Sequence, residues 1–142
     1  MEVMEIIEND SFPYIEETNK FLVMVKPVWL EDHSYPDENK YVWAYYVRIE
    51  NKSDNTAQLM SRYWKITDSL GRTHEVKGTG VVGEQPVLKP GDSFEYSSGT
   101  PLDCPDGIMG GVYSMKSEDG ESFDINIPTF SLDSPYSDQS IN

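Results

Sequence analysis

Gly78, Gly80 and Gly83 fall at the G-x-G-x-x-G spacing that lets backbone close around a pyrophosphate. Arg62, Arg72 and Lys77 lie near them in sequence and could supply positive charge, so these six residues form the candidate ligand-binding set. The chemistry requires a helix directly after the glycines, whose N-terminal amides and dipole hold the phosphates. Here the chain continues Glu84-Gln85-Pro86-Val87-Leu88-Lys89-Pro90-Gly91. Two prolines four residues apart deny a helix its hydrogen bonds. No apolar stripe recurs at helical spacing, and no Lys-Ser or Lys-Thr follows as in a Walker loop. The stretch therefore reads as a glycine-rich bend between strands, where positive φ or close packing excludes a Cβ.

Other reactive residue types are sparse. His33 lies in a polar loop and His74 in a short strand between Thr73 and Glu75. Neither H-x-x-x-H nor C-x-x-C occurs, so no metal-ligand set is expected. Glu118, Asp119, Glu121 and Asp124 cluster near a turn but miss the D-x-D-x-D-G calcium-loop pattern. A solvated hairpin tip accounts for them; divalent cations would associate with such carboxylates only weakly and unspecifically. Ser93 lacks the second glycine of a nucleophile elbow, and Ser97 and Ser98 have no sequence-evident base. Cys104 is flanked by Asp103 and Asp106, a poor setting for a thiolate nucleophile. No catalytic residue, cofactor or enzyme class emerges.

The elements that carry these residues read as strands. Phe21–Trp29 is a first strand, with Pro27 marking an edge or bulge. Glu31–Lys40 is turn chemistry. Tyr41–Asn51 alternates Tyr41, Trp43, Tyr45, Val47 and Ile49 toward a core. Across Ala57–Asp68, Met60, Trp64 and Ile66 share one face, and Asp68-Ser69-Leu70-Gly71 turns into a companion strand at Arg72–Lys77. Further strands are expected at Ser93–Ser97, Gly107–Met115 and Glu121–Pro128, the last turning Phe123, Ile125 and Ile127 inward; Thr100–Asp106 reads as loop. Seven to eight short strands and no convincing long helix favour an all-β antiparallel sandwich.

A chain of 142 residues is long enough for one domain that buries roughly two-thirds of its unfolded surface. Its formal net charge of −14 repels phosphate backbones and anionic lipid, which argues against nucleic-acid or membrane-surface binding. Much of the excess sits at the ends: Met1–Lys20 holds six acids and one base, and Ser131–Asn142 two acids and no base. Residues 1–20 are therefore expected to be a loose acidic segment and residues 133–142 a disordered tail, flanking an ordered domain at 21–132. One cysteine cannot form an internal disulfide. No signal peptide is visible and no apolar run approaches a membrane span, so a cytoplasmic location is expected.

Several runs resemble the ApaG family of bacteria (domain of unknown function 525). They are Tyr41-Val42-Trp43-Ala44-Tyr45, Val47-Arg48-Ile49-Glu50-Asn51, Gln58-Leu59-Met60-Ser61-Arg62-Tyr63-Trp64 and the GTGVVGEQP of Gly78–Pro86. Leu88–Gly91, Phe94–Gly99, Gly107–Gly111 and Phe123–Phe130 are similar as well, in the family's order. The resemblance implies a fibronectin-III-like or immunoglobulin-like β-sandwich over residues 21–132. It also implies an association with cobalt and magnesium efflux or resistance, and a protein-interaction role like that of similar domains in some F-box and polymerase-delta-interacting proteins. It carries over no catalytic residues. Three functions are left open: a non-enzymatic module that binds an unidentified protein partner, a nucleotide or pyrophosphate binder using Gly78, Gly80 and Gly83, and an unrecognised hydrolase.

Overall fold

The computed structural model describes residues 12–137. Among the described residues there are nine strands: β1 (Tyr14–Thr18), β2 (Phe21–Trp29), β3 (Tyr41–Asn51), β4 (Ala57–Asp68), β5 (Thr73–Thr79), β6 (Val87–Leu88), β7 (Ser93–Leu102), β8 (Gly107–Ser117) and β9 (Ser122–Leu132). Two 3-10 turns, Glu31–His33 and Pro36–Glu38, fill the connection between β2 and β3. One sheet has the order β1-β2-β3-β7; the other runs β5-β4-β8-β9, with β6 paired to β4. All pairings are antiparallel. The fold is the expected antiparallel sandwich, with one strand more than the count read from the sequence.

Alternation builds the core. Tyr41, Trp43, Tyr45, Val47 and Ile49 of β3 are buried against Leu59, Trp64 and Ile66 of β4, Tyr113 and Met115 of β8, and Ile125, Ile127 and Phe130 of β9. Close approach of β9 to β1 and β2 shuts one side of the sandwich. On the other side β5 and β7 end their sheets.

Five expectations change. The described part of the 1–20 segment is ordered: Asn19 and Lys20, both at positive φ, form a tight hairpin turn that pairs Tyr14–Thr18 with β2. Such a turn is usually signalled by Asn-Gly, and Asn-Lys hides it. Phe12 and Tyr46 are then buried together on the outer face of the sheet. Residues 1–11 of that segment lie outside the described residues. In the 133–142 tail, Tyr136 packs on Trp29 and Tyr41, and residues 138–142 are outside the description.

The remaining changes concern phase. A β-bulge between Leu59 and Ser61 shifts the alternation of β4, so Leu59 rather than Met60 joins Trp64 and Ile66 in the core. A second shift opposite Gly110 accommodates Pro128, and the inward set of β9 passes from Ile125 and Ile127 to Phe130 and Leu132. Strand β7 continues through the expected loop at Thr100 to Leu102. Proline tolerates this because Pro101 belongs to the row directed away from β3, where no N–H is needed for pairing.

Candidate functional site

Four of the six glycine-bend candidates meet at the far end of β5, and two do not. Val81 and Glu84 exchange backbone hydrogen bonds of 2.8 Å in each direction, closing a two-residue turn with φ +41 at Val82 and +83 at Gly83. Positive φ at both central residues is a type I′ hairpin turn, which is why Gly83 is suited there. Gly80 is required twice over. It has φ +64, and a Cβ on it would sit 2.2 Å from the Glu84 carbonyl oxygen. Its amide donates to the Met60 carbonyl at 2.9 Å, in the β4 bulge.

Arg62 completes this corner. Its Nη1 donates to the carbonyls of Gly80 at 2.8 Å and Thr79 at 3.2 Å. A Cβ at Gly78 would lie 2.7 Å from the guanidinium, so the glycine makes room for the arginine. A phosphate site needs amides and cations aimed at open space. Here the Gly80 amide is spent on the Met60 carbonyl of β4, and part of the guanidinium on the carbonyls of Thr79 and Gly80.

Lys77 pairs with Tyr63 on the opposite face of the sheet, its Nζ 5.8 Å from that ring. Arg72 precedes β5 by one residue, about 20 Å of extended chain from Gly78. Its guanidinium donates to Asp68 at 2.9 Å, to Asp103, and to Cys104 Sγ at 3.2 Å. The side-chain ligand atoms of Asp68, Asp103 and Cys104 lie within 4.8 Å of one another, close enough to hold a cation. The guanidinium fills that centre.

Asp68 anchors the same corner. Its carboxylate is fully buried and also accepts from the backbone N–H groups of Leu70 and Arg72, each at 3.0 Å. Burial pushes its pKa up, but the backbone donors of Arg72 and Leu70, with His74 and the Arg72 side chain, outweigh that and hold it below the usual value. His74 Nε2 stands 3.5 Å from Asp68. This His–Asp pair belongs to the β4–β5 turn.

Between the sheets, below Arg62, lie three phenols. The hydroxyls of Tyr96 and Tyr113 share a short hydrogen bond. Burial raises the pKa of Tyr45, Tyr96 and Tyr113, so all three stay protonated near neutral pH. The Tyr96–Tyr113 bond joins the two sheets, and Tyr45 packs edge-on against Trp64 of the facing sheet. The acidic turn at Ser117–Glu121 is a hairpin tip: Asp119 accepts from the Ser117 hydroxyl and from the Glu121 amide at 3.0 Å. A separate groove of about 580 Å³, lined by Tyr14, Lys26, Pro27, Trp29 and Trp43, has both indole N–H groups engaged, with Glu31 and with the Asp133 carbonyl.

The feature that the sequence reading left without residues is the pair of sheet ends. In β7, hydrogen bonding at Asn51–Asp92 and at Lys20–Lys52 fixes which residues face which neighbour. Phe94, Tyr96, Ser98 and Thr100 bond to β3, leaving Glu95, Ser97, Gly99 and Pro101 directed outward. In β5, the Asp68–Arg72 and Met60–Gly80 bonds likewise leave Thr73, Glu75, Lys77 and Thr79 outward. A hydrophobicity pattern reports sheet faces, and strand order decides the edges, so no local signal could have found these residues.

The family model of the ApaG domain matches residues 31–117. The chain belongs to the ApaG family. It is 58% identical to protein ApaG of Paramagnetospirillum magneticum over 129 residues, covering 91% of this chain and 99% of that relative. With protein ApaG of Parvibaculum lavamentivorans the identity is 57% over 123 residues, or 87% of this chain and 95% of the relative. Among solved structures, the ApaA protein of Bordetella pertussis superposes with a TM-score of 0.78 at 43% identity, covering 86% of this chain and 96% of that one. The ApaG match includes β3, β4, the glycine hairpin, β5 and β7, so both sheet ends fall inside it.

Proposed function

We propose that this ApaG-family chain is a non-enzymatic binding module that takes an extended segment of a protein partner onto the free edge of β7. The observation that carries the reading is the outward row Glu95, Ser97 and Gly99, backbone donors and acceptors beside an inter-sheet core that is already complete. Adding a strand to such an edge supplies affinity through main-chain hydrogen bonds, and alternate side chains supply selectivity. The row is nearly neutral on an acidic molecule. Its single charge, Glu95, has Arg48 at 3.6 Å. The link to cobalt and magnesium efflux comes from the family resemblance; among the described residues no helix is long and apolar enough to cross a membrane, so an influence on transport would run through a partner.

The test is affinity capture from an extract of the source cells with wild-type protein and with Ser97→Pro. Proline there removes an outward N–H and no ladder bond, as Pro101 does in the same row. A partner retained by wild type and lost from a folded Ser97→Pro supports the reading; equal retention, or none, sinks it.

A second reading, nucleotide or pyrophosphate binding at Gly78, Gly80 and Gly83, rests on the gathering of these glycines with Arg62 at one corner, and it requires a ligand to displace the Arg62 bonds to the Thr79 and Gly80 carbonyls. Saturable amide shifts confined to residues 78–83 on titration with a nucleotide pyrophosphate would support it. A silent loop would remove it.

A further inference from the structure

Strand β5 is the more exposed of the two sheet ends, with every residue but Gly78 open to solvent and Val76 42% exposed. Edge strands guard against promiscuous pairing with charges, and Glu75 and Lys77 stand in the outward row. Their order is also self-complementary. Reading Thr73-His74-Glu75-Val76-Lys77-Gly78-Thr79 against a reversed copy about Val76 sets Glu75 opposite Lys77, Thr73 opposite Thr79, and His74 opposite Gly78.

We propose that a second copy of this chain adds to β5, antiparallel about a two-fold axis at Val76, to make one continuous sheet β9-β8-β4-β5 with its symmetry mate. The outward backbone groups support that register. Thr73, Glu75, Lys77 and Thr79 direct their N–H and C=O away from β4, and each meets an outward residue of the other copy. Charge fixes the alignment. Sliding the pair to the adjacent hydrogen-bonded registers brings Glu75 onto Glu75 of the other copy, or Lys77 onto Lys77, and like charges directly opposite are destabilising. The two Val76 side chains, exposed in the single chain, cover each other on the axis. Both charged groups are held in place for this: Tyr63 donates to Glu75 at 2.7 Å, and Lys77 lies over the same ring.

The pairing is selective where β7 is not. Strand β7 offers a nearly neutral row ended by Pro101, with no charge pattern to choose a copy of itself. The dimer stands on β5 alone and does not rest on the reading of β7. Because each chain carries a net charge of −14, association should strengthen as salt screens the overall repulsion, until the two Glu75–Lys77 pairs are themselves screened.

Sedimentation equilibrium of the wild type, Glu75→Lys, Lys77→Glu and the double exchange tests this. Wild type should dimerise at micromolar to millimolar chain concentration. Each single variant should weaken self-association about tenfold or more, because it opposes like charges twice across the axis. The double exchange should restore it, and an equimolar mixture of the two single variants should form a heterodimer. Melting curves check that all remain folded. A wild type that stays monomeric throughout, or single variants that dimerise like wild type, would overturn the proposal.

Discussion

Asp68 is a buried carboxylate whose hydrogen-bond donors outweigh its burial and favour its charged form. Leu70 and Arg72 donate backbone N–H, and the Arg72 side chain donates Nε. Its folded pKa is depressed below 3.8, while an unfolded Asp titrates at about 3.9. The resulting stability is present above the unfolded pKa and lost as pH falls through the folded one. Asp68→Asn should therefore flatten the dependence of melting temperature on pH below about 4, leaving the contribution of Asp119, whose pKa is also lowered. Asp68→Ala leaves two backbone donors short of a partner and should cost about 2–3 kcal/mol in denaturant melts.

The glycines separate by the same reasoning. Gly83→Ala meets nothing within 4 Å and suffers only its positive φ, a cost of about 1 kcal/mol. Gly80→Ala adds a clash with the Glu84 carbonyl and should cost more than Gly83→Ala by calorimetry. At this scale the sequence named Arg62 beside Gly78, Gly80 and Gly83, but it also named Arg72 and Lys77, which the β4–β5 turn and strand alternation carry elsewhere. It could not show that the Arg62 guanidinium spends donors on carbonyls, because the direction of a hydrogen bond depends on the hairpin's φ angles.

At the scale of elements, the two phase shifts are what alternation could not reveal. A bulge inserts one residue without a mark in the hydrophobic pattern, and both Leu59 and Met60 are apolar. The consequence is measurable. Leu59→Ala opens a cavity in the core and should cost about 2–5 kcal/mol, whereas Met60→Ala, at a half-buried site, should cost less than about 2 kcal/mol in the same melts. The Met60 carbonyl receives Gly80 and the Gln85 side chain, so the bulge also seats the glycine hairpin. Strand β3 was legible because its inward row is bulky and unbroken, and β9 was legible up to Ile127, where its phase shifts; β1 was not, because its turn is Asn-Lys and its acids resemble a solvated tail.

At the scale of the molecule, one side of the sandwich is closed by β1 and β9, and the other presents the ends β5 and β7. Self-pairing at β5 and partner addition at β7 then share a side and should compete. Under the account given above, Lys77→Glu, which favours the single chain, should retain partner at least as well as wild type, while Ser97→Pro should not retain it. Sandwich class was readable from strand spacing, but which strands lie at the ends is set by non-local pairing between β3 and β7 and between β4 and β5. The central claim is that β7 is an open docking edge. Amide hydrogen exchange at Ser97 and Gly99 tests it most directly: both should exchange fast in the free chain and become protected when the captured partner is added. Protection already present without a partner, or unchanged on adding it, would contradict the claim.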